Sequence, residues 1–94
     1  MIVGLCLVVA AAAALRLKPD DAEAHYNLGV EYGELGRHQE AIAELKEALR
    51  LKPDYAEAHC KLGVAYGHLG RWQEAIAELK EALRLKPDYA EAHC

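Results

Sequence analysis

The sequence predicts an all-helical repeat protein, each repeat a helix, a tight turn and a second helix. Three observations carry this. Residues Ala22–Tyr55 (AEAHYNLGVEYGELGRHQEAIAELKEALRLKPDY) recur as Ala56–Tyr89 (AEAHCKLGVAYGHLGRWQEAIAELKEALRLKPDY), a period of 34 residues. A fixed period of this length marks supersecondary units that bury their apolar faces against their neighbours. Ala, Leu, Glu, Lys and Arg fill most positions, a composition of helix formers. Within each copy, two apolar runs at helical spacing are separated by a glycine and closed by Lys-Pro-Asp.

A chain of 94 residues holds at most one ordinary domain. The formal charge of −4 and the absence of a basic run give no electrostatic footprint for nucleic acid. Three cysteines, Cys6, Cys60 and Cys94, form neither an even set nor a metal-type CxxC pair, so no disulfide framework is expected.

In chain order, residues 1–21 are read as an apolar N-terminal helix ending in the tail of a partial repeat. Met1–Leu15 carries no charged side chain. It can be read as a secretory signal with Ala10–Ala14 as cleavage site, although no Lys or Arg precedes the apolar run. It can also be read as a membrane anchor, although a span takes about 20 residues. The third reading is a packed helix of the array, because a shift of one period places Val8, Ala11, Ala14 and Leu15 under Ile42, Leu45, Ala48 and Leu49. Membrane contact or export follows from the first two readings, and a cytoplasmic protein from the third.

Lys18-Pro19-Asp20 ends that segment, since proline disfavours helix in the residue before it. Asp20 with Glu23 has capping-box spacing, repeated at Asp54/Glu57 and Asp88/Glu91. A first helix with Leu28, Tyr32 and Leu35 on one stripe then runs to Gly36, a natural left-handed C-cap. A second helix carries Ala41, Ile42, Leu45, Ala48, Leu49 and Leu51 up to Lys52-Pro53. The helix-interior glycines Gly29 and Gly63 fit close helix approach; the packing role of Gly33 and Gly67 is not evident from the sequence. The repeats are therefore 22–55 and 56–89, and residues 90–94 (AEAHC) begin a truncated third.

These residues resemble the tetratricopeptide repeat (TPR) family. The signature positions are met by Leu28, Gly29, Tyr32, Ala41, Leu45, Ala48 and Pro53, and again by Leu62, Gly63, Tyr66, Ala75, Leu79, Ala82 and Pro87. One departure is the fourth position, often bulky and apolar in the family and here His25, His59 and His93. The resemblance implies a right-handed α-solenoid of stacked antiparallel helix pairs, whose first helices line a concave groove for partner proteins or peptides. It places Glu23, Tyr26, Asn27, Val30 and Glu34 in that groove, with Glu57, Cys60, Lys61, Val64 and His68 from the second copy. The copies differ at five pairs, and three of them (26/60, 27/61 and 34/68) fall in this set, as expected of a varied face on a constant scaffold or of drift at exposed positions. Co-chaperone members grip peptide carboxylates with a set of groove residues; only Lys61 fits that pattern, so a dicarboxylate clamp is not expected.

No phosphate loop, HExxH or GxSxG occurs, so no catalytic site and no cofactor are expected. His59-Cys60 and His93-Cys94 offer zinc-type donors, but neighbours on a helix point about 100° apart. A satisfied, partly buried histidine is the plainer expectation for His25, His59 and His93. Cys60 and Cys94, on equivalent stacked helices, are expected roughly 8–10 Å apart, too far for a disulfide. Glu74–Leu85 has only the short AEAHC stretch to cover its Ile76, Leu79 and Leu83, and Met1–Leu15 is apolar all round. Both ends therefore predict a homo-oligomer. The leading functional expectation is a non-enzymatic interaction module; the alternative is a self-assembling scaffold without a dedicated ligand.

Overall fold

The computed structural model describes residues 20–87. The Met1–Leu15 segment and the stretch 90–94 lie outside the described residues, and so do the readings placed on them.

Four helices follow one another: α1 (Ala22–Glu34), α2 (His38–Leu51), α3 (Ala56–His68) and α4 (Trp72–Leu85). Helix α1 packs on α2 and α3 on α4, while α2 against α3 joins the two repeats. The all-α architecture is the one the period predicts, and the antiparallel pairs are those the family resemblance implies.

Each pair turns on a glycine. Gly36 and Gly70 have φ of 79° and 75°, where a Cβ is penalised. The Arg37 amide donates to the Tyr32 carbonyl (2.8 Å) and that of Gly36 to Gly33 (3.0 Å). The second repeat repeats both bonds, Arg71 to Tyr66 (2.9 Å) and Gly70 to Gly67 (3.1 Å). This is the Schellman pattern, which satisfies helix-end carbonyls that have no intrahelical partner.

Helix starts depart from the sequence reading. The cap of α1 is Asp21, not Asp20, and its side chain accepts from the Ala24 amide at 3.2 Å. Helix α3 is capped by Tyr55 without a side-chain bond, so the Asp54/Glu57 box does not form. Lys-Pro-Asp-Tyr instead closes a turn in which the Tyr55 amide donates to the Lys52 carbonyl at 3.1 Å. Glu57 reaches Lys86 at 3.4 Å.

Within each pair the helices meet at a glycine, as expected. A Cβ on Gly29 would lie 2.8 Å from Leu45 Cγ and 3.3 Å from the Ala41 carbonyl oxygen. On Gly63 it would lie 2.9 Å from Leu79 Cγ and 3.1 Å from the Ala75 oxygen. The seam between repeats is the core: Ile42, Leu45 and Ala48 of α2 meet Ala58, Leu62, Ala65 and Tyr66 of α3. Leu45 and Leu62 are fully buried, and each such leucine contributes about 1.5–3 kcal/mol over an exposed one.

The histidines at the departing fourth position tie the pairs together. His25 Nδ1 lies 2.8 Å from Glu44 Oε1, and His59 Nδ1 lies 2.8 Å from Glu78 Oε1. His59 Nε2 also meets the Pro53 carbonyl oxygen at 3.0 Å. These are the satisfied, partly buried histidines expected, and their partners are carboxylates on the second helix of each pair. Cys60 overturns an expectation: it is fully buried and disulfide-bonded, its second cysteine lying outside the described residues. Both donors of the adjacent His59-Cys60 pair are thus engaged in bonds within the fold.

Candidate functional site

One cleft, of about 180 Å³, opens between α1, α2 and α3. Its floor is backbone and small apolar groups, with Gly29 and Gly33 from α1, Ala41 and Leu45 from α2, and Ala65 from α3. Val30 and Val64 also line it, with Glu34, Lys61, His38 and His68 as its polar lining.

The floor is open because of Gly33. A Cβ there would meet nothing within 4 Å, so packing does not require glycine. A glycine in a helix interior costs about 1 kcal/mol relative to alanine. Its counterpart Gly67 differs: a Cβ there would sit 3.5 Å from Cζ3 of Trp72. Trp72 stands at the position of His38, and the His38 ring stacks instead on His68, centroids 4.4 Å apart and planes within 7°. His38 opens α2 and His68 closes α3, so the stack pins the cleft at one end. His38 Nδ1 is buried with no hydrogen-bond partner.

Charge on the rim is divided. Glu34 belongs to α1 and is exposed; Lys61 belongs to α3 and is half-buried. Among the described residues Lys61 makes no ion pair, whereas the arginines pair within their own helices, Arg50 with Glu47 through Nε at 2.8 Å and Arg84 with Glu81 at 2.9 Å. These bonds hold the Glu47 and Glu81 carboxyls below the usual glutamate range. Hydrogen bonding to Arg37 does the same for Glu40.

Of the ten residues expected in a groove, five line this cleft: Val30, Glu34, Lys61, Val64 and His68. Glu23 and Glu57 lie apart, beside Tyr55 and Lys52 in a shallow polar hollow. Tyr26 stacks on Tyr55 with centroids 4.9 Å apart and packs at the edge of the core. Asn27 is exposed and lines neither recess, and Cys60, fully buried, offers no accessible surface. Sequence reasoning missed Gly33 and His38. The signal for His38 was present in the His38/Trp72 difference, one of five between the copies. Of the other differing pairs, Glu31/Ala65 sets a core alanine against a glutamate whose Oε2 is buried without a partner.

Comparison with known proteins accords with this geometry. Family models described as TPR repeat and tetratricopeptide repeat match residues 10–43, 31–70 and 56–89. No curated protein sequence matches the chain. Among solved structures, an O-GlcNAc transferase mutant from Thermobaculum terrenum is similar at 35% identity and a TM-score of 0.88, over 92% of this chain and 16% of that one. The TPR domain of Arabidopsis OM64 is similar at 27% identity and 0.86, over 89% of this chain and 71% of that one. The crystal structure of MamA is similar at 28% identity and 0.82, over 97% of this chain. The chain spans about half the length of the MamA chain it matches (50%). The first TPR domain of Spaghetti (RPAP3), bound to an HSP90 peptide, shares the fold at 21% identity and 0.85, over 86% of this chain and 64% of that one. Matching models over both repeats, the shared helix-pair architecture and the glycine-capped turns together show that the chain belongs to the tetratricopeptide repeat family, whose domains are protein–protein interaction modules.

Proposed function

We propose that the chain is a non-enzymatic module that holds a peptide or helical segment of a partner protein between its first helices. The observation that carries this reading is the α1–α2–α3 cleft, which gathers half of the expected groove residues around an apolar floor. Binding sites of this kind combine apolar walls with a few polar groups that orient the ligand. The structural relative with an HSP90 peptide bound has the same fold, which supports a peptide as the class of ligand. Only Lys61 fits the pattern with which co-chaperone members grip peptide carboxylates, so the proposed ligand is of another kind.

The test is affinity selection of a random peptide library on the full chain, followed by calorimetric titration of the selected peptides. Lys61→Ala and Val64→Ala are expected to weaken binding with far-UV helicity unchanged. Binding lost only in variants that melt would count against the cleft.

A second reading, assembly through the end of the array, is favoured by α4. Ile42 is buried under α3, but its counterpart Ile76 is 52% exposed, and Trp72 and Leu83 are exposed beside it at 65% and 38%. An exposed apolar stripe of that kind is a surface for association. Sedimentation analysis of the parent and of Ile76→Glu decides it. A dimer dissociated by the charge supports homo-oligomerisation, and a monomer at micromolar concentration excludes it.

A further inference from the structure

Resting on the peptide-binding reading above, we infer that the cleft takes one apolar side chain of the partner, seated on the bare backbone of Gly33, with a neighbouring acidic side chain paired to Lys61. The apolar part follows from an internal precedent. In the second repeat the space over the equivalent glycine, Gly67, is met by the indole of Trp72. In the first repeat the residue at that position, His38, stacks on His68, and the space over Gly33 stays open. The same backbone position is therefore approached by an apolar ring in one copy and left open in the other. Its walls, Val30 and Val64, and its floor, Ala41, Leu45 and Ala65, offer no side-chain hydrogen bond, so burying a polar group there is unfavourable. A volume of about 180 Å³ suits a leucine or a single aromatic ring, since a cavity of about 150 Å³ holds benzene.

The acidic part follows from charge. Lys61 stands on the α3 rim without an ion-pair partner among the described residues, and Glu34 stands on the α1 rim. An occupant with its carboxylate toward α3 meets the ammonium and avoids the glutamate; the reverse orientation places like charges together. This divided rim gives the ligand a direction as well as a composition. Gly33 is then the point of closest approach, where any side chain on α1 would occupy the seat of the ligand.

The experiment uses the full chain and a library of random heptapeptides blocked by acetylation and amidation, so that no terminal carboxylate takes part. Selected peptides are expected to carry Leu, Ile, Met or Phe within two residues of Asp or Glu. Gly33→Leu fills the hollow and is expected to lower affinity at least tenfold without lowering the melting temperature. Replacing the peptide's apolar residue by Ser is expected to cost the parent chain as much, an arm that needs no protein variant. Lys61→Glu is expected to lower affinity tenfold and to regain it with Lys in place of the peptide's acid. Selected peptides that ignore both Gly33→Leu and the Ser replacement, or that bind equally with Lys at the acidic position, overturn this inference and leave peptide binding standing. A library that yields no binder overturns the peptide-binding reading, and this inference with it.

Discussion

Two identical substitutions, one turn apart on α1, are predicted to differ in stability, only one of them stabilising. At Gly29 a Cβ would lie 2.8 Å from Leu45 Cγ and 3.0 Å from Cδ2, with the Ala41 carbonyl oxygen at 3.3 Å. Leu45 is 1% exposed and belongs to the buried cluster between the repeats, so a shift of its side chain disturbs that packing. Overpacking of this kind costs about 1–3 kcal/mol, against a gain of about 1 kcal/mol from replacing a helical glycine by alanine. Gly29→Ala is therefore neutral to destabilising by about 2 kcal/mol on those magnitudes. At Gly33 the same Cβ meets nothing within 4 Å, and no positive φ is present. Only the propensity gain remains, so Gly33→Ala stabilises by about 1 kcal/mol. For a domain of this size that corresponds to a rise of about 4–8 °C in the melting temperature. Thermal and urea unfolding followed by far-UV circular dichroism read both variants on one scale. A Gly33→Ala variant less stable than the parent, or a Gly29→Ala variant more stable than Gly33→Ala, would refute the packing described for α1.

Two further outcomes follow from the side-chain bonds. A double-mutant cycle on His59 and Glu78 is expected to give a coupling of about 1–2 kcal/mol, because the pair is partly buried, bridges two helices, and loses a charge-assisted bond when either partner is removed; additive single-mutant losses would show the contact to be incidental. Acid unfolding is expected to draw on Glu47 and Glu81, whose carboxyls are held below the ordinary glutamate value of 4.5 by bonds to Arg50 and Arg84. A depressed folded-state value means that their contribution is present above that pH and is lost as pH falls below it, so Glu81→Gln should lower neutral stability slightly, leave stability in acid unchanged and thereby flatten the acid limb of the profile.

Much of the fold was legible because the repeat states it twice. Gly36 and Gly70 announce the turns, and Leu28, Leu45 and Leu62 fall on stripes whose period needs no tertiary knowledge. Gly29 and Gly63 read as close-approach positions because they lie beside the apolar stripe. The helix starts were less legible. Asp20 and Asp21 both have capping chemistry, and which one caps depends on where the chain leaves the preceding corner. At α3 a turn bond from Tyr55 takes the place of the aspartate cap.

The side-chain bonds across helices were illegible for a geometric reason. His25 and Glu44, like His59 and Glu78, are 19 residues apart, a separation that becomes a contact only when the hairpin closes. His38 and His68 belong to different repeats and meet only when the repeats stack. The expected groove divided for a related reason: helical phase places Tyr26, Asn27 and Val30 near one face, but the Tyr26–Tyr55 stack draws one member toward the core. Cys60, expected at the surface as the counterpart of Tyr26, is buried and bonded. Gly33 became informative only once the space above it could be measured.

The most direct test of the central claim is a heteronuclear NMR titration of the labelled chain with a peptide from the blocked library. The cleft predicts the largest shift changes at the amides of Gly33, Lys61 and Val64 and at the imidazole of His68, saturating with one peptide per chain. Changes centred on Glu23, Tyr55 and Glu57, or on Trp72 and Ile76 of α4, would contradict it and place recognition elsewhere on the array.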